Sequence, residues 1–95
     1  FSWRIRSVIW AAILYLVTPD AFSTMHRLPT DEVFHFYAGD PVDQLHLLPG
    51  GGRVVRLGAD LAAGERPQVV APAGVWQGTT LAPGGRRGFA LLGTT

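Results

Sequence analysis

The stretch 26-HRLPTDEVFHFYAG-39 reads as strand, tight turn, strand. Pro29 breaks the run, and β-branched and aromatic residues resume at Val33. Side chains alternate along a strand. An inward Glu32 therefore takes Phe34 and Phe36 with it and sends Val33, His35 and Tyr37 outward. Gly39 supplies the positive φ of the turn that follows. The stretch 72-PAGVWQ-77 repeats the device. Pro72-Ala73-Gly74 forms a sharp turn, and Gln77 follows on the next strand. One imidazole (His26), one carboxylate (Glu32) and one amide (Gln77) are thus offered to a single pocket.

Outward from these two stretches, turn signals recur along the whole chain, which holds 12 Gly and 7 Pro. Between them lie short runs of Val, Ile, Leu and aromatics. The spacing predicts strands over 5–17, 21–28, 32–37, 42–48, 53–57, 67–71, 75–81 and 88–94. Many short strands at regular spacing indicate an all-β sandwich or barrel. The Gly/Ala-rich connection 58-GADLAAGERP-67 has room for a helical turn at most. The glycines of 50-GGGR-53 form a hairpin turn. A phosphate loop is excluded there, because neither a G-K-[ST] nor a helical pattern follows.

Ninety-five residues make one domain over 1–95. A chain this short buries only ~60–65% of its unfolded surface. The hydrophobic fraction of 47% is high for that size, and mean hydropathy is +0.21. Part of the apolar surface is therefore expected against a partner chain. Strand 5–17 is the candidate: Val8, Trp10, Ala12, Leu14 and Leu16 line one face while Ile9, Ala11, Ile13, Tyr15 and Val17 line the other. Apolar on both faces, it implies a homodimer through the N-terminal strand. A buried helix is the rival reading of so short an apolar run. Ten apolar residues, 8-VIWAAILYLV-17, are too few to span a bilayer, which takes ~20 in a helix. No signal-peptide cleavage pattern follows them, so a cytoplasmic protein is expected. Without cysteine there is neither a disulfide nor a thiolate metal site. A net charge of +1 with scattered arginines gives no nucleic-acid stripe.

The pattern His26-x5-Glu32-x6-Gly39 with Pro72-x-Gly74 resembles the cupin superfamily. Its first motif is G-x5-H-x-H-x3,4-E-x6-G and its second is G-x5-P-x-G-x2-H-x3-N. His26 takes the first His, Glu32 the Glu and Gly39 the closing Gly. Leu28 stands at the second His, Gln77 at the last His, and Asp20, Arg66 and Leu81 replace the opening glycines and the Asn. The runs 22-FSTMHRLPTDEVFHFYAGDPV-42, 65-ERPQVVAPAGVWQ-77 and 91-LLG-93 are similar to the small cupin-5 family, over about residues 13–93. The resemblance implies a cupin-type jelly-roll β-barrel of about eight strands, without some of the family's N- and C-terminal residues. Typical metal cupins hold Fe, Mn, Zn or Ni through three His and one Glu. This chain departs at Leu28 and Gln77, so no metal cofactor is expected. A metal held by His26, Glu32 and Gln77 is the alternative. His46 joins the set if the 37–42 turn pairs Phe34 with His46, and a one-residue slip turns it outward.

The function expected is a small-molecule-binding cupin, a metal-free isomerase or epimerase acting on a sugar or sugar-phosphate-like ligand. His26 would be the general base and Glu32 its orienter or acid partner. Gln77, Phe34, Phe36, Trp76, His46 and Arg27 would line the ligand, with Trp76 as a stacking surface. Arg27 and Arg66 suit a forked grip on an anion. A solvated or ion-paired role is the plainer reading of both. His35 reads as a structural or interface histidine, and Asp31 as a cap on the Pro29 turn. Two other functions stay open: a non-catalytic binding or structural dimer with a degenerate metal site, and a metal-dependent enzyme.

Overall fold

The computed structural model describes residues 13–21 and 23–95. Eight strands are formed among them: β1 (Ile13–Val17), β2 (Ser23–His26), β3 (Glu32–Gly39), β4 (Val42–Leu48), β5 (Gly51–Leu57), β6 (Gln68–Ala71), β7 (Trp76–Leu81) and β8 (Ala90–Thr94). Each overlaps one strand expected from the sequence, and β4 coincides with its range. The 5–12 part of the first lies outside the described residues. The connection after β5 holds one 3-10 turn, Leu61–Ala63, capped by the Asp60 carboxylate and closed by Gly64 at φ 85. No helix among the described residues is long and apolar enough to cross a membrane.

The strands form two four-stranded antiparallel sheets, ordered β1-β8-β3-β6 and β2-β7-β4-β5. Their facing sides build the core from Val17, Phe34, Val42, Leu57, Val69, Ala71, Ala90 and Leu92. Each large aliphatic or aromatic side chain there contributes ~1.5–3 kcal/mol by leaving water. This is the expected jelly roll. One expected pairing is not formed. β3 and β4 lie in different sheets, so Phe34 pairs with Val69 and Thr94 and not with His46. The chain crosses between sheets at Gly39-Asp40-Pro41, whereas a hairpin would have kept it in one.

That crossing is locked. Gly39 has φ 97, and a Cβ there would collide with the Phe89 carbonyl. The buried Asp40 carboxylate accepts from the backbone N–H groups of Arg86 (3.1 Å), Arg87 (3.0 Å) and Gly88 (2.7 Å). One side chain thus ties the β3–β4 corner to the β7–β8 loop.

The interior is polarised end to end. Along β4 the inward residues are Val42, Gln44 and His46. Val42 shares its row with Leu57 and Leu81, whereas His46 shares its row with Arg53 and Gln77. About 13 Å of strand therefore separates a wholly apolar row from a wholly polar one. On the facing sheet, Glu32 occupies the corresponding polar end of β3.

Candidate functional site

Register builds the site. His26 of β2 pairs with Gln77 of β7, Gln77 with His46 of β4, and His46 with Arg53 of β5. Paired residues in antiparallel strands put their side chains on one face, so these four make a row across the sheet. Glu32 meets the row from the opposite sheet: Gln77 Nε2 donates to Glu32 Oε1 at 3.0 Å. His26, Glu32 and Gln77 are brought together as expected from the sequence, and His46, whose side the sequence left open, joins them by way of β7 and not through a β3–β4 hairpin.

Two turns close this end of the barrel. Gly74 N–H donates to the Leu28 carbonyl at 2.8 Å, and Ala73 N–H donates to Asp31 Oδ1 at 2.8 Å. Asp31 therefore reaches across to the β6–β7 turn, where the sequence suggested a cap on its own turn. Gly74 takes the φ of 75 that this turn requires. A cleft of 400 Å³ opens beside Glu32, lined also by Ile13, Leu28, Thr30, Asp31 and Thr94.

His46 is fully buried and committed at both ring nitrogens. Arg53 Nε donates to Nδ1 at 3.2 Å, which leaves the proton on Nε2, facing Gln44 Oε1 at 2.6 Å. Gln44 Nε2 continues the chain to Thr79 Oγ1 at 3.2 Å. Burial, and after it the Arg53 charge, hold the imidazole below its ordinary pKa. His46 is thus a neutral link in an Arg53–His46–Gln44–Thr79 chain. Nothing in the sequence pointed to that chain, beyond the alternation that puts Gln44 and His46 on one face of β4.

Gln77 is also buried, at 1% exposure. Its Nε2 is satisfied by Glu32, but its Oε1 has no hydrogen-bond partner among the described residues. A buried acceptor left this way costs about 1–3 kcal/mol. It suits a ligand that brings a hydroxyl or an N–H to that point.

The other expected site residues divide. Phe34 and Phe36 do face inward, where Phe34 is part of the core and Phe36 packs against it. Trp76 does not line the interior. It precedes Gln77 on β7, so it points to the outer face, is 44% exposed, and carries the Arg27 guanidinium over its ring at 5.2 Å. Arg27 leaves the interior with it. The alternation that sends Gln77 in sends Trp76 out. His35 stands outside as expected, stacked on Tyr37 with ring centroids 6.4 Å apart.

The donors present do not fit the metal set of three His and one Glu. His46 has both nitrogens engaged, Gln77 offers an amide oxygen, and Leu28 offers none. Among the described residues, no three His, Cys, Asp or Glu side chains gather in a metal-binding group.

Residues 5–95 match the family Cupin_5, described as cupin superfamily (DUF985). The chain belongs to the Cupin_5 family. Its fold is similar to that of a hypothetical protein from Leishmania major, with 31% identity and a TM-score of 0.81 over 87% of this chain and 55% of that one. A structural-genomics protein from Shewanella oneidensis is 37% identical, with a TM-score of 0.78 over 87% and 51%. This cupin therefore spans about half the length of each. A dTDP sugar isomerase from Desulfovibrio desulfuricans shares the fold at 19% identity, with a TM-score of 0.66 over 97% and 62%. Comparison with curated protein sequences gives no match.

Proposed function

We propose that this cupin binds a hydroxyl-rich small molecule, of the sugar or sugar-phosphate kind, at the polar end of its barrel. We propose further that it isomerises or epimerises that molecule by acid–base chemistry. The observation that carries the reading is the buried Gln77 amide, bonded to Glu32 across the two sheets with its oxygen unmatched. In this reading a ligand hydroxyl donates to Gln77 Oε1. His26, one strand away in the same row, takes a proton from the carbon beside a carbonyl, and the proton returns to the same carbon or its neighbour. Glu32 orients the ligand or serves as the acid partner. The exchange is redox-neutral and needs no co-reactant. The dTDP sugar isomerase, at 19% identity, lends the reading its fold alone.

The test is a thermal-shift screen of the purified protein against sugars, sugar phosphates and small hydroxy acids, followed by proton–deuterium exchange of each hit in D2O. Stabilisation by a polyol-bearing ligand with exchange at one carbon is expected. Stabilisation without exchange leaves a binding protein, and no stabilisation by any member defeats the proposal.

Metal-poor chemistry belongs to the same proposal. Carboxylate and amide oxygens are hard donors, and a lone imidazole adds little affinity for transition metals. Protein purified without added metal is expected to carry well under one equivalent of Fe, Mn, Zn or Ni by elemental analysis. A stoichiometric metal would promote His26 and Glu32 to ligands.

For the partner, we propose a second copy of this chain. β1 is a sheet edge, and its outward Leu14 and Leu16 are 71% and 55% exposed. Tyr37 extends the patch from β3, packed over Gly93. A two-fold contact would bury one such patch against itself. The other expected contacts, Val8, Trp10 and Ala12, lie outside the described residues. Sedimentation at micromolar concentration is expected to give a two-chain mass, and Leu14→Asp to give one chain or aggregate. A clean wild-type monomer at high concentration would defeat it.

A further inference from the structure

The two sheets do not close on each other everywhere. β5 and β6 are both sheet edges, and a single parallel bridge joins Leu57 of β5 to Arg66, two residues before β6. Beyond that bridge the seam opens into a cleft of 560 Å³, with Arg53, Arg56, Arg66 and Gln68 on its rim and Val55 and Val69 among its walls.

Charge in this cleft is unbalanced. Arg56 is spoken for: its Nε and Nη2 grip Asp43 at 2.7 and 3.0 Å. That is the arginine–carboxylate ion pair among the described residues. Glu65, the other acidic neighbour, turns its Oε1 to the Asp60 N–H at 3.1 Å. Arg53 spends its Nε on a neutral imidazole. Among the described residues Arg66 is held by its backbone alone, its N–H on the Arg56 carbonyl and its carbonyl on the Gly58 N–H, both at 2.9 Å. Arg53 and Arg66 therefore line one cleft in which, among the described residues, no carboxylate takes part.

We propose that the β5–β6 seam is an oxyanion subsite, in which Arg53 and Arg66 clamp a phosphate, free or as the phosphate of a larger ligand. Guanidinium groups match phosphate oxygens in forked geometry. The subsite stands apart from the His26–Glu32 pair but is wired to it. Arg53 also donates to His46, whose row continues to Gln77 and His26. An anion that draws Arg53 toward the seam changes the hydrogen bond on His46 Nδ1.

Titration of the full chain with inorganic phosphate, glucose 6-phosphate and glucose, by calorimetry and by NMR of the His46 ring, tests this. Saturable binding of the two phosphates, with a shift of the His46 ring signal and no binding of glucose at the seam, is expected. Tighter binding of the sugar phosphate assigns the subsite to a phosphorylated ligand, and equal binding assigns it to the free oxyanion. Arg66→Ala, an exposed change, is expected to weaken both at least about tenfold. Arg86→Ala, which removes an arginine of the β7–β8 loop, should bind as the wild type does. Equal loss in the two variants means diffuse charge attraction and overturns the subsite. Undiminished binding by Arg66→Ala, or no binding by the wild type, overturns it also. None of these readouts depends on turnover, so the acid–base proposal can fail while this one stands.

Discussion

Replacing Asp40 by Ala is expected to lower the melting temperature by more than about 10 °C, or to leave the chain unfolded. The carboxylate satisfies three successive backbone N–H groups of the β7–β8 loop. Alanine removes three hydrogen bonds to a charged acceptor at once, each stronger than a bond between neutral groups. It also unties the corner where the chain passes from one sheet to the other. Asp40→Asn keeps the size and one acceptor oxygen, so its loss should be smaller. The same carboxylate sets part of the acid limit. The Arg87 N–H, then the Gly88 and Arg86 N–H groups and the Arg87 charge, hold its pKa below 3.8 against the opposing effect of burial. The unfolded chain therefore binds this proton first as pH falls. The contribution is whole above pH 3.8 and is lost as pH drops through the lower folded-state value. His46 acts earlier. Its folded pKa is below 6.5, so the unfolded state gains a proton from about pH 6.5 downward while the buried ring resists it. Thermal denaturation across pH should show stability falling in two stages on the acid side, and Asp40→Asn should lack the lower one. A flat profile above pH 4 would contradict the neutral, buried state of His46.

Glu32→Ala is expected to weaken binding of the best ligand from the screen by about 100-fold or more. The substitution removes an interior carboxylate and leaves Gln77 Nε2 unmatched as well as Oε1. The amide can then turn, and the acceptor offered to the ligand is no longer fixed. Glu32→Gln keeps the shape and should retain more of the binding while losing the carboxylate chemistry. His26→Ala is expected to leave the fold intact and abolish proton exchange in the ligand. Circular dichroism of each variant separates lost function from lost structure. If Glu32→Ala and His26→Ala both fold and bind as the wild type does, the ligand sits elsewhere.

The strands were legible because their signal is local. Alternation of apolar and polar residues, bounded by Gly and Pro, marks β3, β4 and β7 within a few residues of chain. The same alternation correctly set Glu32, Phe34 and Phe36 inward and His35 and Tyr37 outward. It also held the answer for Trp76, because neighbours on a strand face opposite ways and Gln77 is inward. A large aromatic beside a polar residue suggests a pocket wall, but parity decides its side.

The sequence by itself determined the class of fold, the turns, and three residues that can supply interior polar chemistry, His26, Glu32 and Gln77, and left the side of His46 open. Tertiary structure alone decided which strands are neighbours. Pairing joins residues far apart in the chain, and a local pattern carries no record of it. So only the folded molecule puts β3 and β4 in different sheets and carries the row from His26 through Gln77 and His46 to Arg53. The same holds for Asp40, a turn residue by sequence, which gathers its donors from residues 86–88. It holds for the seam too, where Arg53 and Arg66 share a cleft because two sheet edges come together without pairing.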